Sequence, residues 1–486
     1  MKKKPIIVAM LIMSLLLTLS ACVADTQGGD QNLQQLSTQA GGTLASAPGE
    51  SLAQPPAPHV SNEMRALYEE LAPLYGQDAI DFFNSLKGRG LSDGQIMQFF
   101  IDIPISTANK EIYDMYIEEG FEIYAETYPK GEPYKGFALD PTVHGVDITG
   151  HFSGWPLKLP YVDYMPLPAG PVGDPGKTYK IAFIGCGFPS AWQTNLHDSV
   201  MWQVQQFSNV TIDIHDYEYD NNKLSNIMDN VIAQRVDGIL LWPANEAPSG
   251  PPVQRAEAAG IPVVTIDRIA GHPDYTNRVA GNFTANGAQN AMFLLEQLSD
   301  EGSFDCNIVL IRKPLGSTAD AVRIGHFLRP LSYVPGIRVV GSYFDPSDRA
   351  TAFANSQAAV AAHQTIDAVM TTGDYEGIVM LEALSLAGRL DSSRADGKRV
   401  IIMNVDDSKE AINFVRSGDI ATNAPYTPLH GDIGVRVLMM RLSGTELPQD
   451  IIFPNIPIIT RDGRTLFGMK TQTPDEWWPF TFGPAT

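Results

Sequence analysis

From Tyr179 onward the chain alternates between short apolar runs and longer stretches with apolar residues at helical spacing. Strand-like runs fall at 179–184, 209–215, 237–242 and 261–266, and helical runs near 190–207, 222–235 and 250–259. A second series places strands at 306–312, 336–344, 366–371 and 399–405, with helices near 319–330, 349–363, 375–388 and 408–416. Near-continuous apolar runs are the mark of strands buried on both faces. Alternation of this kind predicts an α/β fold of parallel sheets covered by helices on both sides. The segment "RVAGNFTANG" at 278–287 separates the two series, so two similar doubly wound lobes are expected.

The rhythm changes ahead of this body. Residues 61–128 carry apolar residues at helical spacing and read as a small helical module, with Ser61, Ser92 and Ser106 as candidate N-caps. Its aromatic residues, Tyr113, Tyr116 and Phe121 among them, read as core rather than as a binding groove. Residues 129–177 are dense in proline, which blocks both helix and central strand, so an extended connector is expected. Residues 23–60, rich in Gln, Gly, Ser, Ala and Pro, cannot bury enough surface to fold and read as a tether.

The first residues, "MKKKPIIVAMLIMSLLLTLSAC", place a basic start (Lys2, Lys3, Lys4) before an apolar stretch from Ile6 to Leu17. That is the layout of an export signal over 1–21, too short for a membrane span. Leu19-Ser20-Ala21-Cys22 resembles the bacterial lipobox. By that resemblance Cys22 is acylated and holds an exported lipoprotein at a membrane, in the periplasm or on the outer face.

Charge narrows the partners. The chain carries 34 basic and 55 acidic residues, net −21, and removal of 1–21 takes three lysines and no acid. An excess of negative charge that large argues against nucleic acid or an anionic membrane surface as partner. Two cysteines then remain beyond Cys22, Cys186 and Cys306, too few for a disulfide framework; both are expected as free thiols.

In open parallel sheets the ligand lies beyond the carboxyl ends of the strands. Read in order, those ends carry Cys186 with Ser190 and Trp192, Trp242 with Asn245, Asp267 and Arg268, Arg323 just inside a helix, Asp374, and Asp406. One of Asp406 and Asp407 is expected to cap the helix near Ser408 while the other faces the cleft. Indole faces, carboxylates and guanidinium groups suit a polyhydroxylated solute. Gly185-Cys186-Gly187 offers a tight turn but not a dinucleotide fingerprint, since the sixth position is Ser190 rather than glycine, so no cofactor is expected. The nine histidines are scattered without metal-ligand spacing, and "GFPSAW" is no nucleophile elbow, so neither a metal nor catalysis is expected.

Several segments also resemble type I periplasmic binding proteins of the ribose, xylose and galactose kind. They are "DGILLWPANEAPSGPPVQRAEAAGIPVVTIDR", "RIGHF" at 323–327 and "IIMNVDDSKEAINFVRSGDIAT" at 401–422, within a resemblance covering about 178–460. The resemblance implies two lobes, 178–283 with 427–455 and 284–426 with 456–486, joined by three crossovers and closing like a clamp. It also implies that Asp267, Arg268, Arg323 and Asp406 hydrogen-bond sugar hydroxyls, that Trp192 stacks on the sugar ring, and that Asn282 is a hinge residue. The sequence departs from the family pattern at Gly373-Asp374, at His326 in "RIGHF", near Pro425, and at Trp192-Gln193, where paired aromatics are usual. A monosaccharide delivered to an ABC permease is the implied function. The alternative is a sensory lipoprotein presenting a sugar or a small methylated amine to a membrane receptor kinase or chemoreceptor.

Overall fold

The computed structural model of the chain describes residues 109–121, 170–187, 191–271, 275–281, 283–314, 317–345, 348–426, 430–447, 449–452, 457–466 and 469–477. The lipobox, the tether, most of the helical module and connector, Ser190 and Asn282 lie outside the described residues.

Two six-stranded sheets organise the body. The first contains β1 (Tyr179–Gly185), β2 (Val210–Asp216), β3 (Gly238–Leu241), β4 (Val263–Ile266), β5 (Asn277–Ala280) and β11 (Asp450–Ile452). The second contains β6 (Cys306–Arg312), β7 (Ile337–Phe344), β8 (Ala368–Thr371), β9 (Ile401–Val405), β10 (Thr422–Ala424) and β12 (Ile459–Thr460). Their orders, β11-β5-β4-β3-β1-β2 and β12-β10-β9-β8-β6-β7, are the same winding used twice. Every pairing within them is parallel except β10 with β12. In each sheet the order turns back at the first strand, β1 or β6, which places a crevice at its carboxyl end.

The helices are α1 (Lys110–Glu118), α2 (Ala191–Gln205), α3 (Asn221–Ala233), α4 (Glu246–Ala258), α5 (Phe283–Glu301), α6 (Thr318–Leu331), α7 (Arg349–Ala362), α8 (Asp374–Leu386), α9 (Lys409–Ser417) and α10 (His430–Leu442). Local chemistry sets their ends. Asp220, Ser317 and Asp348 turn side-chain oxygens onto first-turn N–H groups of α3, α6 and α7. Gly418 ends α9 in the left-handed conformation. The chain passes between the sheets three times: from β5 into α5 and β6, from β10 into α10 and β11, and from β11 to β12.

Four local expectations change. Neither Asp406 nor Asp407 caps α9; Ser408 does, its hydroxyl accepting from the Ala411 N–H at 3.2 Å. The cap of α1 is Asn109, which accepts from the Ile112 N–H at 3.3 Å, and not Ser106, which is outside the described residues. Helix α4 begins at Glu246 rather than near 250, carrying Pro251 and Pro252 within it. Residues 283–301 form a full helix, α5, where the sequence pattern showed only a break between lobes.

Helix α5 runs against α6 at close range because Gly287 has no side chain. A Cβ there would overlap the carbonyl oxygen of Arg323. This contact seats α6, and with it Arg323, at the mouth of the second sheet.

Candidate solute-binding cleft

A cavity of about 450 Å³ lies where the carboxyl ends of the two sheets meet. From the first lobe, Trp192 on α2, Tyr219 after β2, Trp242 after β3, and Asp267 with Arg268 after β4 line it. From the second, Lys313 after β6, Arg323 on α6, Asp374 opening α8 and Asp406 after β9 line it. Tyr426, between β10 and α10, closes the crossover side.

Asp267 is the most heavily bonded group on the first-lobe wall. Its Oδ1 accepts from the Tyr426 hydroxyl at 2.7 Å and its Oδ2 from the Trp242 indole N–H at 3.1 Å, while Arg268 Nε stands 3.3 Å away. On the second-lobe wall, Arg323 donates from Nη2 to Asp406 Oδ1 at 2.8 Å and from Nη1 to the Thr372 carbonyl at 2.6 Å. The buried Nε of Arg323 has no hydrogen-bond partner among the described residues.

Aromatic groups shape the space between. Tyr426 stacks with Phe283 at 4.6 Å and with His430 at 4.8 Å, and its hydroxyl is bonded to Asp267. Trp192 leans on Trp242 at 5.7 Å and donates its indole N–H to the Tyr426 carbonyl at 2.8 Å. Burial and the nearby Asp406 raise the pKa of Asp374, and burial raises that of Asp407 well above the usual carboxylate value. Lys313 is paired with the buried Glu376 at 3.0 Å. The wall therefore mixes acceptors and donors without a strong net charge, which suits hydroxyl groups better than an ion.

Of the residues expected at the strand ends, Trp192, Asp267, Arg268, Arg323, Asp374 and Asp406 line this one cavity. Ser190 lies outside the described residues. Cys186 is the correction: it is 1% exposed, is not among the lining residues, and burial pushes its thiol up to about 12. It packs beneath the site as a small core residue. Cys306 is likewise buried and free. Tyr219, Lys313 and Tyr426 were not read from the sequence. Lys313 directly follows its strand, as Asp406 does, and a charge at that station was a usable signal. Tyr219 and Tyr426 sit in a turn and a crossover, where periodicity carries no information. Among the described residues no group of His, Cys, Asp and Glu is placed to hold a metal ion.

The arrangement of paired lobes around a polar cleft has counterparts. The model of the periplasmic binding protein domain matches residues 181–446. The chain belongs to the periplasmic binding protein family. This periplasmic binding protein is 27% identical over 237 residues to a xylitol-binding protein of Mycolicibacterium smegmatis, a match covering 48% of this chain and 64% of that one. It is 24% identical over 242 residues to a ribose import binding protein of Bacillus subtilis, covering 50% and 74%. Its fold is shared with the solved binding protein of an arabinose ABC transporter from Shewanella sp. ANA-3, with α- and β-L-arabinofuranose bound; the TM-score is 0.53 at 21% identity, covering 58% and 92%. The family is one of solute binders that work outside the cytoplasm. Among the described residues no helix is long and apolar enough to cross a membrane.

Proposed function

We propose that this chain captures a small uncharged polyhydroxylated solute, a monosaccharide or a linear polyol, between its two lobes and delivers it to an ABC permease. The observation that carries the reading is the single cavity lined by Trp192, Trp242, Asp267, Arg268, Arg323 and Asp406. In this reading the rings of Trp192 and Trp242, which line the cavity, pack on C–H surfaces of the solute, and Asp267 and Asp406 accept from its hydroxyls. Arg323 donates from its guanidinium group. The lobes close on the solute and open to release it, with no bond made or broken. The xylitol- and ribose-binding relatives support the solute class, and the relatives named as import binding proteins support delivery over sensing.

Titration of the purified body with xylitol, D-ribose, L-arabinose and myo-inositol, alongside a small methylated amine, tests the reading. A ligand that binds only the folded state raises the melting temperature with concentration, by about 2.7 kcal/mol of stability at a hundredfold excess over Kd. A shift with the amine alone would replace the polyol by a cation, and no shift with any of the sugars or polyols sinks the reading. Anchoring through an acylated Cys22 is part of the proposal. Cys22→Ser should move the protein from the membrane to the soluble fraction, and a membrane-bound Cys22→Ser protein removes the anchor.

A further inference from the structure

Helix α1 lies ahead of the family match, which begins at residue 181, yet it is built into the second lobe. Asn109 donates its side-chain amide to the carbonyls of Val334 at 2.9 Å and Ile337 at 2.7 Å, stapling the turn between α6 and β7. Tyr116 accepts from Arg329 at 2.7 Å, and Phe121 packs over Gly325, where a Cβ would stand 3.1 Å from that of Phe121. These contacts fix the outer side of α6, the helix whose inner side carries Arg323.

One contact reaches further. Glu119 accepts from Nη1 of Arg312 at 2.6 Å. Arg312, 2% exposed at the end of β6, donates through Nε at 3.0 Å and Nη2 at 2.7 Å to Oδ2 of Asp320. The other oxygen of Asp320 accepts from the Thr372 hydroxyl at 3.0 Å and the Lys313 N–H at 3.1 Å. Thr372 in turn holds Arg323 by its carbonyl. The links are direct hydrogen bonds joined through the backbone of Thr372, and they end on the Lys313 N–H and the Arg323 guanidinium, in two residues that line the cavity.

We infer that Glu119 is a positioning residue for the solute site: it fixes Arg312, which orients Asp320, which sets the Lys313 and Arg323 end of the cleft. With Glu119 present, Arg312 is held from two sides and Asp320 needs only one oxygen to satisfy it. Without it, Arg312 Nη1 keeps only the Ser342 hydroxyl at 3.5 Å and turns toward Asp320, drawing that carboxylate off Thr372 and Lys313. Through Glu119, which follows α1, a segment ahead of the family match then bears on the binding lobe. The inference rests on the solute-binding reading proposed above.

The test is a double-mutant cycle in the full chain, with affinity for xylitol and D-ribose read by calorimetry. Glu119→Ala, which removes the acceptor, should weaken binding about tenfold. Thr372→Val should weaken it similarly, and the double mutant should lose less than the product of the two, since both act through Asp320. Asn109→Ala loosens the same helix without touching the relay; it should lower the melting temperature and leave Kd unchanged. Unchanged affinity in Glu119→Ala, or strictly multiplicative losses, overturns the inference. Should the parent bind neither solute, the solute-class reading fails by itself. Hydrogen exchange over residues 317–323 then decides the relay: faster exchange in Glu119→Ala than in Asn109→Ala supports it, and equal exchange overturns it.

Discussion

Asp267 and Asp406 hold equivalent stations on the two sheets. Each directly follows the fourth strand of its sheet, β4 or β9, and each adopts a left-handed backbone, with φ of 70° and 76°. Each donates its backbone N–H to the neighbouring strand, Asp267 to Val279 at 2.8 Å and Asp406 to Ala424 at 3.1 Å. The left-handed region is costly for residues with a Cβ and is best tolerated by Asp and Asn after Gly. Two strained positions related by the winding, both delivering a carboxylate to one cavity, mark a site rather than an accident of packing.

Asparagine tests these two positions with little backbone penalty, because it too accepts the left-handed region. Asp267→Asn leaves one of two facing donors, Tyr426 or Trp242, opposite an amide N–H. Asp406→Asn leaves the buried Arg323 without its counter-charge. Each should cost about 1–3 kcal/mol in denaturant unfolding, and each should weaken solute binding at least tenfold. Parent-like affinity in both would take the carboxylates out of the site.

Trp192 has two jobs that substitution can separate. Its ring faces the cavity, and its indole N–H holds the Tyr426 carbonyl in the crossover between β10 and α10. Trp192→Phe keeps an aromatic surface, smaller by one ring, and removes the hydrogen bond, worth about 0.5–1.5 kcal/mol. The expected result is a modest loss of affinity, with most of it in faster release measured by stopped flow. Trp192→Ala should lose binding outright. Equal affinities for the two variants would mean that the ring makes no contact with solute.

The eight apolar runs read from the sequence coincide with β1 to β4 and β6 to β9 within two residues at either end. Central strands buried on both faces leave an unbroken apolar signature, so the alternation and the strand-end residues were legible. What was missed has physical causes. Strands β10, β11 and β12 are only two or three residues long and sit beside the crossovers. Helix α5 is buried nearly all round from Phe283 to Leu298, so it lacks the polar face that makes a helix recognisable. The pattern also gave no hint that α1 packs on α6, since the partners of a helix are set by tertiary contacts. Glu246 was overlooked because "EAPSGPP" reads as a helix breaker, whereas its prolines fall in the first two turns of α4.

Gly287→Ala probes the seating of α6. The added methyl would overlap the Arg323 carbonyl oxygen and crowd the Phe327 N–H, both backbone groups that cannot rotate away. Forcing α5 and α6 apart should cost about 1–3 kcal/mol. The displacement moves Arg323, so binding should weaken beyond what lost stability explains. A variant that melts lower yet binds like the parent would show that the helix contact serves packing alone.

Glu246 couples the contact between the lobes to pH. It belongs to the first lobe, but its Oε1 accepts from the N–H of Thr318, the first residue of α6 in the second lobe, at 2.8 Å. Burial raises its pKa from 4.5 to about 7, against the lowering effects of the Thr318 N–H, Arg268 and Arg278, while Asp267 adds to the rise. A carboxyl whose pKa is raised on burial takes up a proton as the lobes meet. Its contribution is therefore fully present below pH 4.5 and is lost as the pH rises through 7. Stability and solute affinity should both be greater at pH 5 than at pH 8, with about 3 kcal/mol as the upper bound. Glu376, Asp374 and Asp407 also have raised pKa values, so the parent's slope alone is not diagnostic. Glu246→Gln keeps a carbonyl for the Thr318 N–H and cannot titrate, so it should flatten part of the dependence and tighten binding at pH 8 relative to the parent. Identical pH profiles for parent and Glu246→Gln, in both melting and calorimetry, would show that this carboxyl does not govern closure.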